Sequence, residues 1–234
     1  MFQPYALIEE LGRKSTTAEV LDCVQSIAAP LGLVNLHIGG LPSHCFQTVD
    51  EATRWPSGFR ELYVREDYAR VSPVSSRGRD SPGPFEWRTA DFASHENPAA
   101  RRVMERAADF GHRYGFVVPV HGPHGFEGSV SLDGSVVELA DHLKPGLHLV
   151  ALYAFDRVRT ILRARAAAKP ALTAREREVL AWAANGKSAW EIGEILNIAK
   201  RTVDDHAETA FQKLGAVNRT HAVAIALRDR MIEP

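Results

Sequence analysis

The chain has 234 residues, of which 45% are hydrophobic and 24% are charged, ordinary proportions for a globular protein of one or two domains. Its net charge of -1 argues against a strongly basic nucleic-acid-binding protein, and two cysteines outside any CxxC pattern cannot form a disulfide framework. No apolar run reaches the roughly 18 residues of a membrane helix, and the start lacks a secretory signal pattern. We therefore expect a cytoplasmic protein with no membrane partner.

The first 165 residues alternate helical patterns with short β-rich runs. The apolar spacing predicts helices over residues 2–12, 16–30, 56–66, 97–111 and 141–165. Strands are predicted over residues 34–38 and 85–88 and on both sides of a hairpin within residues 115–132. Residues 39–53 and the Ser-, Pro- and Gly-rich segment 72–84 are predicted as loops. The pattern indicates an α+β domain, an α/β/α sandwich with an antiparallel sheet.

The tail from residue 172 predicts an all-α unit of four short helices. Capping boxes of Thr173 with Glu176 and of Ser188 with Glu191 open the first two helices. A third helical pattern begins near Lys200 after a tight turn, and a fourth follows. Such a pair of helices is typical of a helix-turn-helix whose second helix lies in the DNA major groove. The alternative is a structural four-helix cap with a solvated polar face.

Charge in the tail is balanced, because nine basic and nine acidic side chains follow residue 170. Affinity for DNA phosphates is therefore expected from local clusters and from the doubled site of a homodimer on an inverted repeat of double-stranded DNA. The predicted DNA-binding residues lie on the third helix: Lys200, Arg201, Thr202, Asp204, Asp205, Glu208 and Lys213.

The tail resembles the C-terminal helix-turn-helix of LuxR-type transcription regulators. The matching residues, in the family's spacing, are Glu178, Leu180, Trp182, Ala184, Gly186–Lys187, Glu191–Ile192, Ile195–Leu196, Thr202–Val203, His206, Lys213–Leu214 and Asn218–Arg219. One position departs, since the family usually has Ser where this chain has Ala199. An alanine cannot cap the third helix, which costs about 1 kcal/mol.

The first domain resembles the autoinducer-binding domain of LuxR-type quorum-sensing receptors. The resemblance lies in the strings FRELYVREDYARVSP, FEW and GFVVPVHGPHGFEGSVSL. Members of the family bind an acyl-homoserine lactone between the sheet and a helical layer. The two resemblances divide the chain into a small-molecule-binding domain over residues 1–165, a linker over 166–171 and a DNA-binding domain over 172–234.

The family's pocket pattern falls on named positions of this chain. Tyr63, Pro73, Trp87 and Gly115 match it. Carried over by position and by neighbourhood, the predicted ligand-binding residues are Trp55, Phe59, Tyr63, Ser72, Trp87, Gly115 and Ser131. The alternative for the aromatic members of this set is plain hydrophobic core.

Two pocket positions depart from the family. Phe59 replaces a tryptophan whose indole N–H donates to the lactone carbonyl, and Ser72 replaces an aspartate that accepts from the ligand amide N–H. Losing both anchors weakens a lactone by a few kcal/mol, roughly two orders of magnitude in affinity. Trp55 and Ser131 are candidates for compensating donors.

The sequence therefore predicts a ligand-responsive, DNA-binding transcription regulator. The ligand is an acyl-homoserine lactone or a related or different signal, and we predict no cofactor, no metal and no catalytic residue. A zinc site at His112, His121 and His124 lacks suitable partners, and a hydrolase lacks the GxSxG elbow. A receiver domain lacks its acidic pair after the first strand. The alternative function is a ligand-independent protein that binds DNA or a related regulator through a relic sensor.

Overall fold

The computed structural model describes residues 4–40, 52–123, 125–135, 139–167, 172–229 and 231–233. These residues form two compact units that divide after Arg163. The predicted linker, residues 166–171, lies largely outside the described residues, so the domain limits stay a prediction. No helix among the described residues is long and apolar enough to cross a membrane.

The N-terminal unit is built on a five-stranded antiparallel sheet. Its strands are β1 (Asn35–Gly39), β2 (Thr53–Arg54), β3 (Phe85–Arg88), β4 (Tyr114–Gly122) and β5 (Gly125–Gly134), in the order β2-β1-β5-β4-β3. Strands β4 and β5 pair as the predicted hairpin and lie in the interior of the sheet; His124 lies outside the described residues.

Seven α-helices accompany this sheet among the described residues. They are α1 (Pro4–Arg13), α2 (Thr17–Ala28), α3 (Ser57–Arg65), α4 (Tyr68–Val71), α5 (Pro73–Asp80), α6 (Pro98–Asp109) and α7 (Lys144–Ala167). A capping box of Thr16 with Glu19 opens α2, and the Asn97 side chain caps α6. With the helical C-terminal unit, this arrangement confirms the predicted α+β sandwich and all-α tail.

The sheet has one apolar face, which α2 and α7 cover. Leu36, Val130 and Leu132 lie on this face and are buried. The ring of Phe155 on α7 lies directly over Gly128, where a β-carbon would come within 2.7 Å of it. Arg54 reaches from β2 to Asp22 on α2 at 2.9 Å. Burial of this face contributes to the unit's hydrophobic stabilisation.

The apolar stripe of the helix predicted over residues 141–165, together with the last helix of the tail, suggests a dimer contact, but in the structure the stripe is buried inside its own unit. Its members are buried within the N-terminal unit: Leu147, Val150, Ala151, Ala154, Val158 and Leu162. A face that packs on its own sheet is not available to a second subunit. Among the large apolar side chains of α7, Tyr153 is the exposed one, at 51%.

Helix α5 corrects the prediction of a loop over residues 72–84. The Ser72 hydroxyl accepts from the Ser75 backbone N–H at 3.3 Å, and Pro73 occupies the first helical position. Serine followed by proline starts helices as well as turns, because both need a cap and a fixed φ. The loop prediction is wrong because composition alone does not register the order of Ser72 and Pro73.

The C-terminal unit consists of α8 (Ala174–Ala184), α9 (Ala189–Leu196), α10 (Lys200–Leu214) and α11 (Arg219–Arg228). Both predicted capping boxes are present, and Asn197, at φ 53°, ends α9 in a left-handed conformation. Helix α10 buries Val203 against α8 and α9 and Ala210 against α8 and α11. The helical spacing of Ile192, Ile195 and Leu196 predicts that all three face this core, but the Ile195 side chain is 43% exposed.

Candidate functional site

The second face of the sheet carries a band of polar residues. Residues opposite one another on antiparallel strands share a face. Along one row lie Phe85, Val117, Ser131, His37 and Thr53, and along the next lie Trp87, Gly115, Asp133 and Asn35. Three of the predicted pocket residues, Ser131, Trp87 and Gly115, therefore share this face.

An aromatic cluster stands against this polar face. The ring of Trp55 lies 5.3 Å from that of Phe59 and 5.0 Å from that of Tyr63, and it also contacts His37 at 4.7 Å. The indole nitrogen of Trp55 is buried and has no hydrogen-bond partner among the described residues. Buried polar atoms are seldom left unpaired, so this N–H is available to a bound molecule.

Ser72 and Tyr63 lie beside one another at the start of α5. The Ser72 side chain is buried and caps the helix, while the Tyr63 hydroxyl lies 3.3 Å from that of Ser75. Burial raises the pKa of Tyr63, so its hydroxyl stays protonated at neutral pH. The Ser72 oxygen is thus already engaged by a backbone N–H of its own chain.

The Trp87 indole lies against Gly115, its cross-strand partner. A β-carbon at Gly115 would come within 2.4 Å of the Trp87 indole nitrogen, so only glycine allows this approach. Phe85, Met104 and Val117 complete the cluster around the indole. Trp87 also buries an indole N–H that has no partner within the described part of the chain.

Two polar pairs on or beside this face are not predicted from the sequence as parts of a ligand site. The Nδ1 atom of His37 lies 2.8 Å from the Thr53 hydroxyl, and His112 lies 2.6 Å from Asp133. His112 also packs on Phe59 at 4.2 Å. Each pair joins residues that are not close in the chain, so no local sequence spacing predicts the contact.

We expect the His37 pair to make the stability of the N-terminal unit dependent on pH. Burial lowers the pKa of His37 to about 4, below its value of 6.5 in an unfolded chain. Between these values the unfolded chain holds the proton and the folded one does not, so stability falls as pH drops from 6.5 towards 4.

The free energy of unfolding should fall by on the order of 1–2 kcal/mol, because the His37 side chain is half-buried and water screens part of the effect. Urea unfolding at both pH values, with the His37→Asn variant alongside, measures it. The variant keeps a polar atom near Thr53 but has no imidazole to titrate, so its free energy of unfolding should fall by about 1–2 kcal/mol less than that of the unmodified protein. The exposed His121→Asn serves as control. Equal losses in all three proteins would contradict the assignment.

The predicted DNA-binding residues lie along α10, away from its two buried contacts. Lys200, Arg201, Asp204, Asp205 and Glu208 are exposed, and Thr202 is half-buried. Lys200 pairs with Asp204 at 3.3 Å. Within the described part of the chain the Arg201 guanidinium makes no hydrogen bond or ion pair. Ala199 gives the helix no side-chain cap, as the sequence indicated.

Lys213 differs from the other predicted DNA contacts. Its ammonium lies 2.8 Å from the carboxylate of Glu176, which is 3% exposed and also accepts from the Thr173 backbone N–H. This ion pair joins α10 to α8 inside the C-terminal unit. The contact favours a structural role for Lys213.

The described residues contain no group of three or more His, Cys, Asp or Glu side chains that could hold a metal ion. Hydrogen-bonding side chains lie on the polar face of the sheet and on the exposed face of α10.

Comparison with known proteins matches both units. The model of the autoinducer binding domain matches residues 16–158, and that of bacterial regulatory proteins of the luxR family matches residues 170–226. The transcriptional activator protein BjaR1 of Bradyrhizobium diazoefficiens is 44% identical over 229 residues, 97% of this chain and 95% of that protein.

Two further proteins extend the comparison. The quorum sensing-dependent regulator RpaR of Rhodopseudomonas palustris is 40% identical over 205 residues, 87% of this chain and 84% of its own length. The crystal structure of SdiA from Escherichia coli superposes with a TM-score of 0.68 and 22% identity, covering 99% of this chain and 98% of that one. At that identity the likeness to SdiA concerns the fold.

Proposed function

This chain belongs to the LuxR family of bacterial transcription regulators that carry an autoinducer-binding domain, and from that membership we propose how its two domains divide the work. Residues 1–165 sense a small-molecule signal, and residues 172–234 bind double-stranded DNA. We propose a regulator and not an enzyme, since its relatives are named as regulators.

The observation that carries the sensing role is the buried Trp55 indole N–H within the aromatic cluster. It stands beside Phe59 and Tyr63 with no partner among the described residues. A hydrophobic core would gain by replacing this tryptophan with an apolar ring, whereas a pocket uses its donor. We propose that Trp55, Phe59, Tyr63, Ser72, Trp87, Gly115 and Ser131 line the ligand site.

The proposed pocket keeps its walls and lacks the two polar anchors that the family uses. Phe59 offers no donor, and the Ser72 oxygen already caps α5. The ligand is therefore one that depends less on a homoserine-lactone head group, and is more aromatic or more apolar there. Straight-chain acyl-homoserine lactones should bind weakly.

Thermal unfolding of the full chain, with and without an extract of the source bacterium, tests this proposal. A ligand present at 100 times its dissociation constant stabilises the protein by about 2.7 kcal/mol. Mass spectrometry of the co-purified fraction then identifies the molecule. Absence of any shift, together with unchanged DNA binding, would favour the alternative of a ligand-independent regulator with a relic sensor.

We propose that the protein acts as a homodimer. Charge in the tail is balanced, and two copies double the number of phosphate contacts. Because the apolar stripe of α7 is buried, the contact must use other surfaces, such as the exposed Tyr153 and Leu227. We expect binding to an inverted repeat with half-sites about 10 base pairs apart. Sedimentation as a monomer at tens of micromolar, with and without DNA, would contradict this.

The exposed face of α10 should divide phosphate binding from base recognition. We propose that Lys200 and Arg201 hold phosphates and that Thr202, Asp204, Asp205 and Glu208 lie at or beside the bases. An acidic side chain accepts from cytosine N4 and is repelled by phosphate, so it sets register more than it adds affinity.

Two variants separate these roles. Arg201→Ala should weaken binding to every sequence and lower the salt slope by about 1 for each subunit. Asp205→Ala should relax base preference at one position by about 1–3 kcal/mol. Binding to a randomised operator at several salt concentrations measures both, with Arg175→Ala, which removes an ion pair to Glu178 on α8, as control. The same uniform loss in both variants would refute the division.

A further inference from the structure

A buried histidine at the end of the polar band has one ring nitrogen bonded and the other unpartnered within the described part of the chain. His112 precedes β4 and is 3% exposed. Its Nδ1 atom lies 2.6 Å from the Oδ1 atom of Asp133, and the Asn35 side-chain amide donates to the same oxygen at 2.9 Å. Its Nε2 atom is buried and has no partner among the described residues.

The Asp133 carboxylate decides which nitrogen carries the proton. An ionised carboxylate only accepts, so the Nδ1–H of His112 donates to it, and Asn35 supplies a second donor. In a neutral imidazole with its proton on Nδ1, the Nε2 atom is an acceptor. Asp133 and Asn35, both buried, thus hold the ring so that an acceptor is presented on its other edge.

This acceptor lies among the walls of the proposed pocket. The His112 ring packs on Phe59 at 4.2 Å and meets the Trp55 ring edge-on at 5.6 Å. Asp133, to which it is bonded, is the cross-strand partner of Gly115, which lies under Trp87. The imidazole therefore lies between the cluster of Trp55 and Phe59, which it contacts, and the strand pair that carries Trp87.

We propose that His112 Nε2 accepts a hydrogen bond from an N–H or O–H group of the ligand, with Asp133 and Asn35 as positioning residues. This inference rests on the proposed sensing function. It gives the site a polar acceptor beside Phe59, at a different place from the aspartate that Ser72 replaces, so the ligand donor must lie elsewhere in the site than the amide of a straight-chain lactone does. The Ser72 oxygen itself accepts from the Ser75 backbone N–H. With the Trp55 indole as donor, the site takes a molecule that carries a donor close to a carbonyl acceptor, such as an amide.

The first test needs no ligand. Nitrogen-15 spectra of the histidine side chains in the full-length protein should show the His112 proton on Nδ1 and no proton on Nε2. A proton on Nε2 would overturn the proposal, because that nitrogen would then be a donor suited to a carboxylate ligand.

The second test uses a matched pair of probes, N-phenylacetyl-homoserine lactone and its ester analogue, in which oxygen replaces the amide N–H. The two molecules have nearly the same shape, so their affinities differ mainly through that donor. Calorimetric titration of the unmodified protein should favour the amide by about 10- to 100-fold, since the ester sets an oxygen against the bare Nε2 atom.

In His112→Phe the preference should fall below about threefold, because the acceptor is removed while an aromatic ring is kept. The exposed His121→Phe is the matched control and should retain the full preference. A general loss of affinity for both probes would indicate packing alone and overturn the proposal, as would a preference that survives in His112→Phe.

Two outcomes separate this inference from the sensing function. If the unmodified protein binds neither probe, or both equally, while the bacterial extract still raises its melting temperature, His112 is not the acceptor and the sensing function stands. If His112→Phe does not fold, the amide-to-ester ratio and the Nε2 resonance of the unmodified protein decide, since only the amide should shift that resonance.

Discussion

Combining Phe59→Trp with Ser72→Asp should raise the affinity for a straight-chain acyl-homoserine lactone by about two orders of magnitude. The indole restores a donor for the lactone carbonyl, and the carboxylate restores a charged acceptor for the amide N–H. Aspartate caps a helix as well as serine does, so α5 should keep its start when Ser72 is replaced.

The gain should exceed the sum of the single changes, because both anchors hold one head group. Phe59→Trp alone must make room for a larger ring beside Trp55 and Phe110, and overpacking costs about 1–3 kcal/mol. Phe59→Trp with Ser72→Asn is the matched control, since it has the same shape without the charge.

Titration of the full chain with an octanoyl-homoserine lactone measures the change. The control should reach only part of the gain, because a hydrogen bond to a neutral acceptor is weaker than one to a carboxylate. If the unmodified protein already binds this lactone at nanomolar concentration, its anchors have been replaced by other groups, and the altered-ligand proposal fails.

Removing the Glu176 carboxylate should cost the C-terminal unit about 3 kcal/mol, because this side chain is buried and makes three contacts. It accepts a hydrogen bond from the Thr173 backbone N–H and forms an ion pair with the Lys213 ammonium at 2.8 Å. Glu176→Ala deprives a half-buried cation of this carboxylate and opens the first turn of α8. Exposed ion pairs contribute far less, so Glu178→Ala, which leaves Arg175 in water, should cost no more than about 0.5 kcal/mol.

Hydrogen exchange resolved over residues 174–228 reports the stability of this unit separately from the other. The two variants should differ there by more than about 2 kcal/mol, and similar exchange in both would show that the Lys213 contact contributes little.

The same carboxylate gives the unit a dependence on acid. Burial raises the pKa of Glu176, but the bonds from Lys213 and Thr173 outweigh it, so the pKa lies below the usual 4.5. Its contribution is therefore present above pH 4.5 and is lost as pH falls through the lowered value. Glu176→Gln should lack this part of the acid dependence.

The helices of the C-terminal unit could be predicted from the sequence because their signals are local. The capping boxes of Thr173 and Ser188 each span four residues, and the pattern from Lys200 gives the exposed face of α10 directly. The exposure of Ile195 could not be predicted this way, since an apolar residue at helical spacing gives no sign of whether another helix covers it.

The proposed pocket could be predicted from the sequence only in part, because some of its contacts are local and others depend on tertiary structure. Phe59 and Tyr63 are four residues apart on α3, so their shared face follows from helical spacing. His112, Asp133 and Asn35 come together because β1 and β4 both pair with β5 in one register, over separations of 77 and 98 residues. Strand register depends on the packing of whole faces, so only the tertiary structure decides that this histidine and its carboxylate lie beside the aromatic cluster.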